Sequence, residues 1–126
     1  MAYKPEGYST VSPYLIVDGA ARTIEFMRRV LGGEEIRRIQ DEAGRIRHAE
    51  VRIGECVVMV ADGIEGWPPT EAHVHVYVED VDTAYRAALE FGATSLQEPA
   101  RRGDEDRRGG VEDPGGTSWW IATREG

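Results

Sequence analysis

The sequence predicts an α+β domain built from two β-α-β-β-β modules, and two observations carry that prediction. Two segments with helical spacing of apolar residues, 20–31 and 81–91, each follow a short strand-like run and precede three more such runs. The landmarks of the two halves also recur at a constant offset. Val17 and Val78, Gly54 and Gly115, and Ala61 and Ala122 each lie 61 residues apart. One half alone covers a single face of its sheet with its helix, so the two halves are expected to form a curved, U-shaped sheet with helices outside and a cleft inside.

The elements follow in order. Residues 12–17, SPYLIV, read as a strand. Asp18-Gly19 opens a helix over 20–31 with apolar groups at Ala20, Ile24, Met27 and Leu31, and Gly32-Gly33 closes it. Strand-like runs follow at 34–39, 46–53 and 56–62, divided by Glu42-Ala43-Gly44 and by Gly54. The segment 63–72, GIEGWPPTEA, is a linker. The second module, 73–126, then repeats the first, which covers about 8–62. It comprises a strand at 73–78, a helix at 81–91 capped by Asp80 and closed by Gly92, and strands at 94–97, 109–112 and 118–123.

A length of 126 residues fits one domain. Hydrophobic residues make up 40% and charged residues 30%, the balance of an ordinary globule. The net charge of −8 argues against nucleic acid or an anionic membrane surface as partner. The single cysteine, Cys56, sits in an apolar run and is expected to be a small core residue. One cysteine permits no internal disulfide. With no apolar signal core at the N-terminus and no transmembrane-length run, a cytoplasmic location is expected.

Period-two alternation sorts the strands into faces. Val74, Val76 and Val78 are assigned to the helix side, and His73, His75 and Tyr77 to the cleft. Likewise Ser12, Tyr14 and Ile16 face the cleft, as do His48, Glu50 and Arg52, unless these last three face solvent. Val57, Met59 and Ala61 turn the same way. Of the adjacent pair after the Asp113-Pro114-Gly115-Gly116 turn, Trp119 is expected in the core and Trp120 in the cleft. A mixed aromatic and polar lining suits a small organic ligand.

These phrases, VDGAARTIEFMRRVLG, HVYVEDVDTAYRAALEFGA and DPGGTSWWIAT, resemble the vicinal oxygen chelate superfamily. They are most similar to its small PhnB-like glyoxalase/bleomycin-resistance proteins. The resemblance runs from about Tyr8 to Thr123. It implies a U-shaped cleft commonly completed in a homodimer. It also implies that catalytic members hold a divalent metal through four side chains, usually His and Glu, on the first and last strands of each module. Those positions fall here at Ser12, Met59, His73 and Trp120. His73 alone is a ligand of the right kind, because Met is too soft, Ser is weak and the Trp indole only donates.

The expected function is therefore metal-independent binding, or sequestration, of a small molecule, with no cofactor. Tyr14, Met59, His73, His75 and Trp120 would line the site, and His48, Glu50, Arg52 and Arg107 would add polar contacts. Arg107, in a disturbed Gly-Asp-Arg phrase, is read either as an anchor for an anionic group or as part of a solvated loop. Two alternatives remain. One is a divergent lyase or dioxygenase holding Zn, Ni, Mn or Fe on His73, His75 and His48. The other is a non-catalytic structural dimer with a filled cleft.

Overall fold

The computed structural model describes residues 3–126. The first module runs β1 (Tyr14–Val17), α1 (Ala20–Leu31), β2 (Glu34–Gln40), β3 (Ile46–Ile53) and β4 (Cys56–Asp62). The second runs β5 (Ala72–Tyr77), α2 (Val81–Phe91), β6 (Thr94–Arg101), β7 (Asp106–Glu112) and β8 (Thr117–Arg124). Each module forms its own four-stranded sheet, ordered β1-β4-β3-β2 and β5-β8-β7-β6. In both, the first strand pairs parallel to the fourth and the rest pair antiparallel.

The repeat extends to single hydrogen bonds. Asp62, at the end of β4, accepts from the Ala20 N–H that opens α1. Thr123, near the end of β8, accepts from the Val81 N–H that opens α2. Both donors and both acceptors are 61 residues apart, so each sheet's last strand satisfies an orphan donor of its module's helix. Asp80 adds a cap to α2, taking the N–H groups of Asp82 and Thr83. Both helices end on a glycine in the left-handed region, Gly32 at φ 69° and Gly92 at φ 114°.

The modules meet through their helical layers. Phe26 of α1 is buried against Trp119 of β8, with ring centroids 5.7 Å apart, and stands edge-on to Phe91 at the end of α2. Arg22 covers the outer face of Phe91 at 5.1 Å. Trp119 is fully buried and donates its indole N–H to Asp113 at 2.7 Å. The linker stays close to β1, where the Thr70 N–H bonds the Ile16 carbonyl.

Cys56 corrects one expectation. It is exposed, because it is the first residue of β4 beside the Gly54-Glu55 turn, where alternation has not yet turned a side chain inward.

Candidate functional site

The sheet faces turned away from the helices carry the expected site residues in two sets, one per module. Among the described residues, no hydrogen bond or ion pair joins one set to the other.

On the first sheet, Tyr14 pairs with Met59 across β1 and β4, and Met59 pairs with Glu50 across β4 and β3. The chain before β1 lies over this face. Tyr8 Oη donates to Glu50 Oε1 at 2.5 Å, Val57 N–H donates to Ser9 Oγ, and Arg52 reaches the Gly7 carbonyl at 3.3 Å. Ser12 contacts Ser9 Oγ at 3.1 Å, so it is engaged with this segment. Glu50 Oε2 lies 2.7 Å from His48 Nε2, and His48 Nδ1 lies 3.3 Å from Tyr14 Oη. Burial alone would raise the Glu50 carboxyl, but the hydrogen bonds from Tyr8 and His48 outweigh it and hold the group below its ordinary value. Glu50, assigned to cleft or solvent from the sequence, is buried beneath this segment.

On the second sheet, His73, His75 and Tyr77 present from β5, with Trp120 opposite His75 on β8. Trp120 Nε1 donates to His73 Nδ1 at 3.1 Å. Arg108 Nε donates to His75 Nε2 at 3.0 Å, and Arg108 also binds Asp106 Oδ2 at 3.0 Å. Tyr77 Oη donates to Asp106 at 2.7 Å. Burial, then the Arg108 charge, pulls His75 below the ordinary histidine value and favours its neutral form.

Arg107 does not belong to this face. It forms a two-pronged ion pair with Asp82 of α2, at 2.9 and 3.0 Å, on the helix side. The reason is that residues 106–108 are strand, not loop. Alternation along β7 then gives Asp106, Arg108 and Gly110 to the open face and Arg107 to the other. Sequence reasoning missed Tyr8, Asp106, Arg108 and Gly110. The available signal was the alternation once β7 is extended to Asp106.

A cavity of about 1070 Å³ opens between the modules on the helix side, lined by Val30, Leu31, Val58, Val76, Ala84 and Trp119 among others. Of the expected site residues only His75 and Tyr77 border it. The cavity and the open faces are thus largely different surfaces.

The four positions where the resemblance implies metal ligands do not fit a divalent ion. Ser12 and Met59 are poor donors for it, and Trp120 donates its only polar hydrogen into the lone pair of His73 Nδ1. The relocated set fares no better, since the His75 Nε2 lone pair is taken by Arg108 and His48 stands on the other sheet. Among the described residues, no group of three His, Cys, Asp or Glu is placed to hold a metal ion.

Comparison with known proteins agrees with this architecture. The family model for the Glyoxalase/Bleomycin resistance protein/Dioxygenase superfamily matches residues 9–121. The uncharacterized protein Rv0887c of Mycobacterium tuberculosis is 32% identical over 122 residues, covering 88% of this chain and 72% of that protein. The crystal structure of TioX from Micromonospora sp. ML1 superposes with a TM-score of 0.76 at 27% identity, covering 92% of this chain and 98% of that one. TnmS3, an antibiotic binding protein from Streptomyces sp. CB03234, shares the fold with a TM-score of 0.71 at 16% identity, covering 99% of each chain. With a family model spanning nearly the whole chain and the doubled module behind it, the chain belongs to the glyoxalase/bleomycin resistance protein/dioxygenase superfamily.

Proposed function

We propose that the protein binds and sequesters a small organic ligand without a metal ion, in the cytoplasm, as a homodimer that brings a first-module face of one copy to a second-module face of the other. The observation that carries this reading is Trp120, a flat aromatic surface half-exposed on the second sheet and tethered by its indole N–H to His73. Binding is favoured over turnover on a metal because the histidine lone pairs of this face are already used by protein donors. The likeness to TnmS3 supports the same class of activity. The dimer is supported by β5, which has only β8 as a strand neighbour, and by the separation of the site residues onto two sheets.

The test is a calorimetric screen of aromatic antibiotics against wild type and Trp120→Ala. The variant is expected to fold and to bind at least about tenfold more weakly, a loss of about 1.4 kcal/mol. Equal affinity in both proteins would sink the reading. Sedimentation equilibrium checks the dimer.

A further inference from the structure

Residues 3–12 lie over the first sheet without joining its framework. None of them is buried, and none belongs to the hydrophobic core. Within this segment the backbone bonds itself only from the Tyr8 N–H to the Pro5 carbonyl. Pairing with β4 begins at Pro13, whose carbonyl accepts from the Met59 N–H. Among the described residues, three polar contacts tie the segment to the sheet. Tyr8 Oη donates to Glu50, the Val57 N–H donates to Ser9 Oγ, and Arg52 donates to the Gly7 carbonyl. Val11 is left 81% exposed, an apolar side chain standing in water. A segment with polar fastenings and no apolar burial opens at a far lower free energy than the core beneath it.

One of those fastenings stands on the candidate site. Glu50 pairs with Met59, and Met59 pairs with Tyr14. The matching row of the second module is Gly110, Trp120 and His75. Each module therefore brings an aromatic ring to this row. Trp120 is built into its strand, whereas Tyr8 arrives on a strap and is held by a hydrogen bond to a carboxylate, the strong, charge-assisted kind.

The repeat shows that a module folds without such a strap. The segment before β5 runs instead to β1, where the Thr70 N–H bonds the Ile16 carbonyl. Among the described residues, no side chain of 63–71 bonds the open face of the second sheet. That sheet forms with the same strand order regardless.

We propose that residues 3–12 are an autoinhibitory strap, with Tyr8 occupying the first-module half of the cleft until its hydroxyl leaves Glu50. A ligand that binds only the open form has an apparent dissociation constant equal to the intrinsic one divided by the open fraction. The strap therefore discriminates by reach. A ligand confined to the Trp120 face binds with the strap shut, and one that also covers Met59 and Glu50 displaces Tyr8. This inference rests on the first-module face being part of the ligand cleft, but the movement of the strap is read without a ligand.

The first experiment is native-state hydrogen exchange at two amides. Val57, bonded to Ser9, reports the strap, and Val60, buried in the middle of β4, reports the sheet. Tyr8→Phe loses only the hydroxyl that meets Glu50. In it, Val57 should exchange at least about tenfold faster while Val60 keeps its rate. The second experiment is fluorescence titration with Nile red, a flat, neutral dye. Tyr8→Ala clears the ring from the face and should bind the dye at least about fivefold more tightly than wild type. A tyrosine that formed part of the binding wall would give the opposite sign. An unchanged Val57 rate, a Val60 rate that rises with it, or dye affinity in Tyr8→Ala no higher than in wild type overturns the strap. Sequestration rests on Trp120 and is judged separately by the calorimetric screen, whose failure would leave the exchange result standing.

Discussion

Trp120 lies in the space that a side chain at Gly110 would fill. A Cβ at residue 110 would collide with the indole Cζ3 and come within 2.6 Å of its Cε3. The absence of a side chain on β7 is what lets the ring lie flat on the sheet and reach His73. Gly110 has no positive φ, so alanine suits its backbone, and the effect of Gly110→Ala falls on the ring alone. Overpacking costs about 1–3 kcal/mol in a tight core; the half-exposed ring can swing outward, so the cost here is expected near about 1 kcal/mol. Ligand affinity should fall as far as in Trp120→Ala, and tryptophan emission should shift to the red. Unchanged emission would show that the ring does not depend on Gly110.

Both helices were legible in the sequence to the residue, because an apolar stripe and a glycine stop are local signals. The core position of Trp119 was also legible, from simple alternation. The site on β7 was not. Residues 106–108 carry only charge, with no apolar alternation to mark a strand. Their strand character comes from pairing with β8, where Asp106, Arg107 and Arg108 face Arg124, Thr123 and Ala122. The 61-residue offset also misleads at this strand. Glu50 faces Met59, whereas Gly110 faces Trp120, so β7 sits one residue out of step with β8 relative to the first module. The longer turn at Asp113–Gly116 absorbs the difference, and Arg108 rather than Gly109, the residue 61 positions after His48, takes the place of His48 and meets His75. The covering of Glu50 by Tyr8 joins residues 42 positions apart, which periodicity cannot report.

The Arg108 charge adds to burial in favouring neutral His75, and Arg108→Gln tests its share. Burial comes first and the Arg108 charge second in pulling His75 below its ordinary value, so removing the charge should move its titration midpoint upward. A group depressed in the folded state contributes stability above its unfolded value, about 6.5 for histidine, and that contribution is lost as pH falls. The wild type should therefore weaken below about pH 6.5, and the variant should show less of this histidine's share. NMR titration of the His75 ring protons reads the midpoint directly. A midpoint that stays or falls in Arg108→Gln would show that the guanidinium charge is not felt.

Asp113 is the fastening of the turn that launches β8. Its buried carboxyl accepts from Trp119 Nε1 and Gly115 N–H at 2.7 Å and from Thr117 N–H at 3.3 Å. Asp113→Ala leaves buried donors without an acceptor, at about 1–3 kcal/mol for each one that water cannot reach. A total loss of about 3 kcal/mol is expected by urea unfolding, with Asp113→Asn costing less because its amide oxygen still accepts. Equal losses in the two variants would mean that charge, rather than the acceptor, holds the turn.

His73 and His75 sit two residues apart on one strand face, a spacing that suits metal binding by imidazoles. What stands against a metal is occupancy of the lone pairs: Trp120 uses Nδ1 of one ring and Arg108 uses Nε2 of the other. Untagged wild-type protein should then take up no nickel or zinc in a calorimetric titration, and chelator should leave its melting temperature unchanged. The double variant Trp120→Phe with Arg108→Gln keeps the bulk of both side chains and releases both lone pairs. It should gain weak nickel binding, with two protein ligands and water in the remaining positions. Stoichiometric metal uptake by the wild type would show that the two donors yield their acceptors easily, and the metal-free reading of this face would fall with that result.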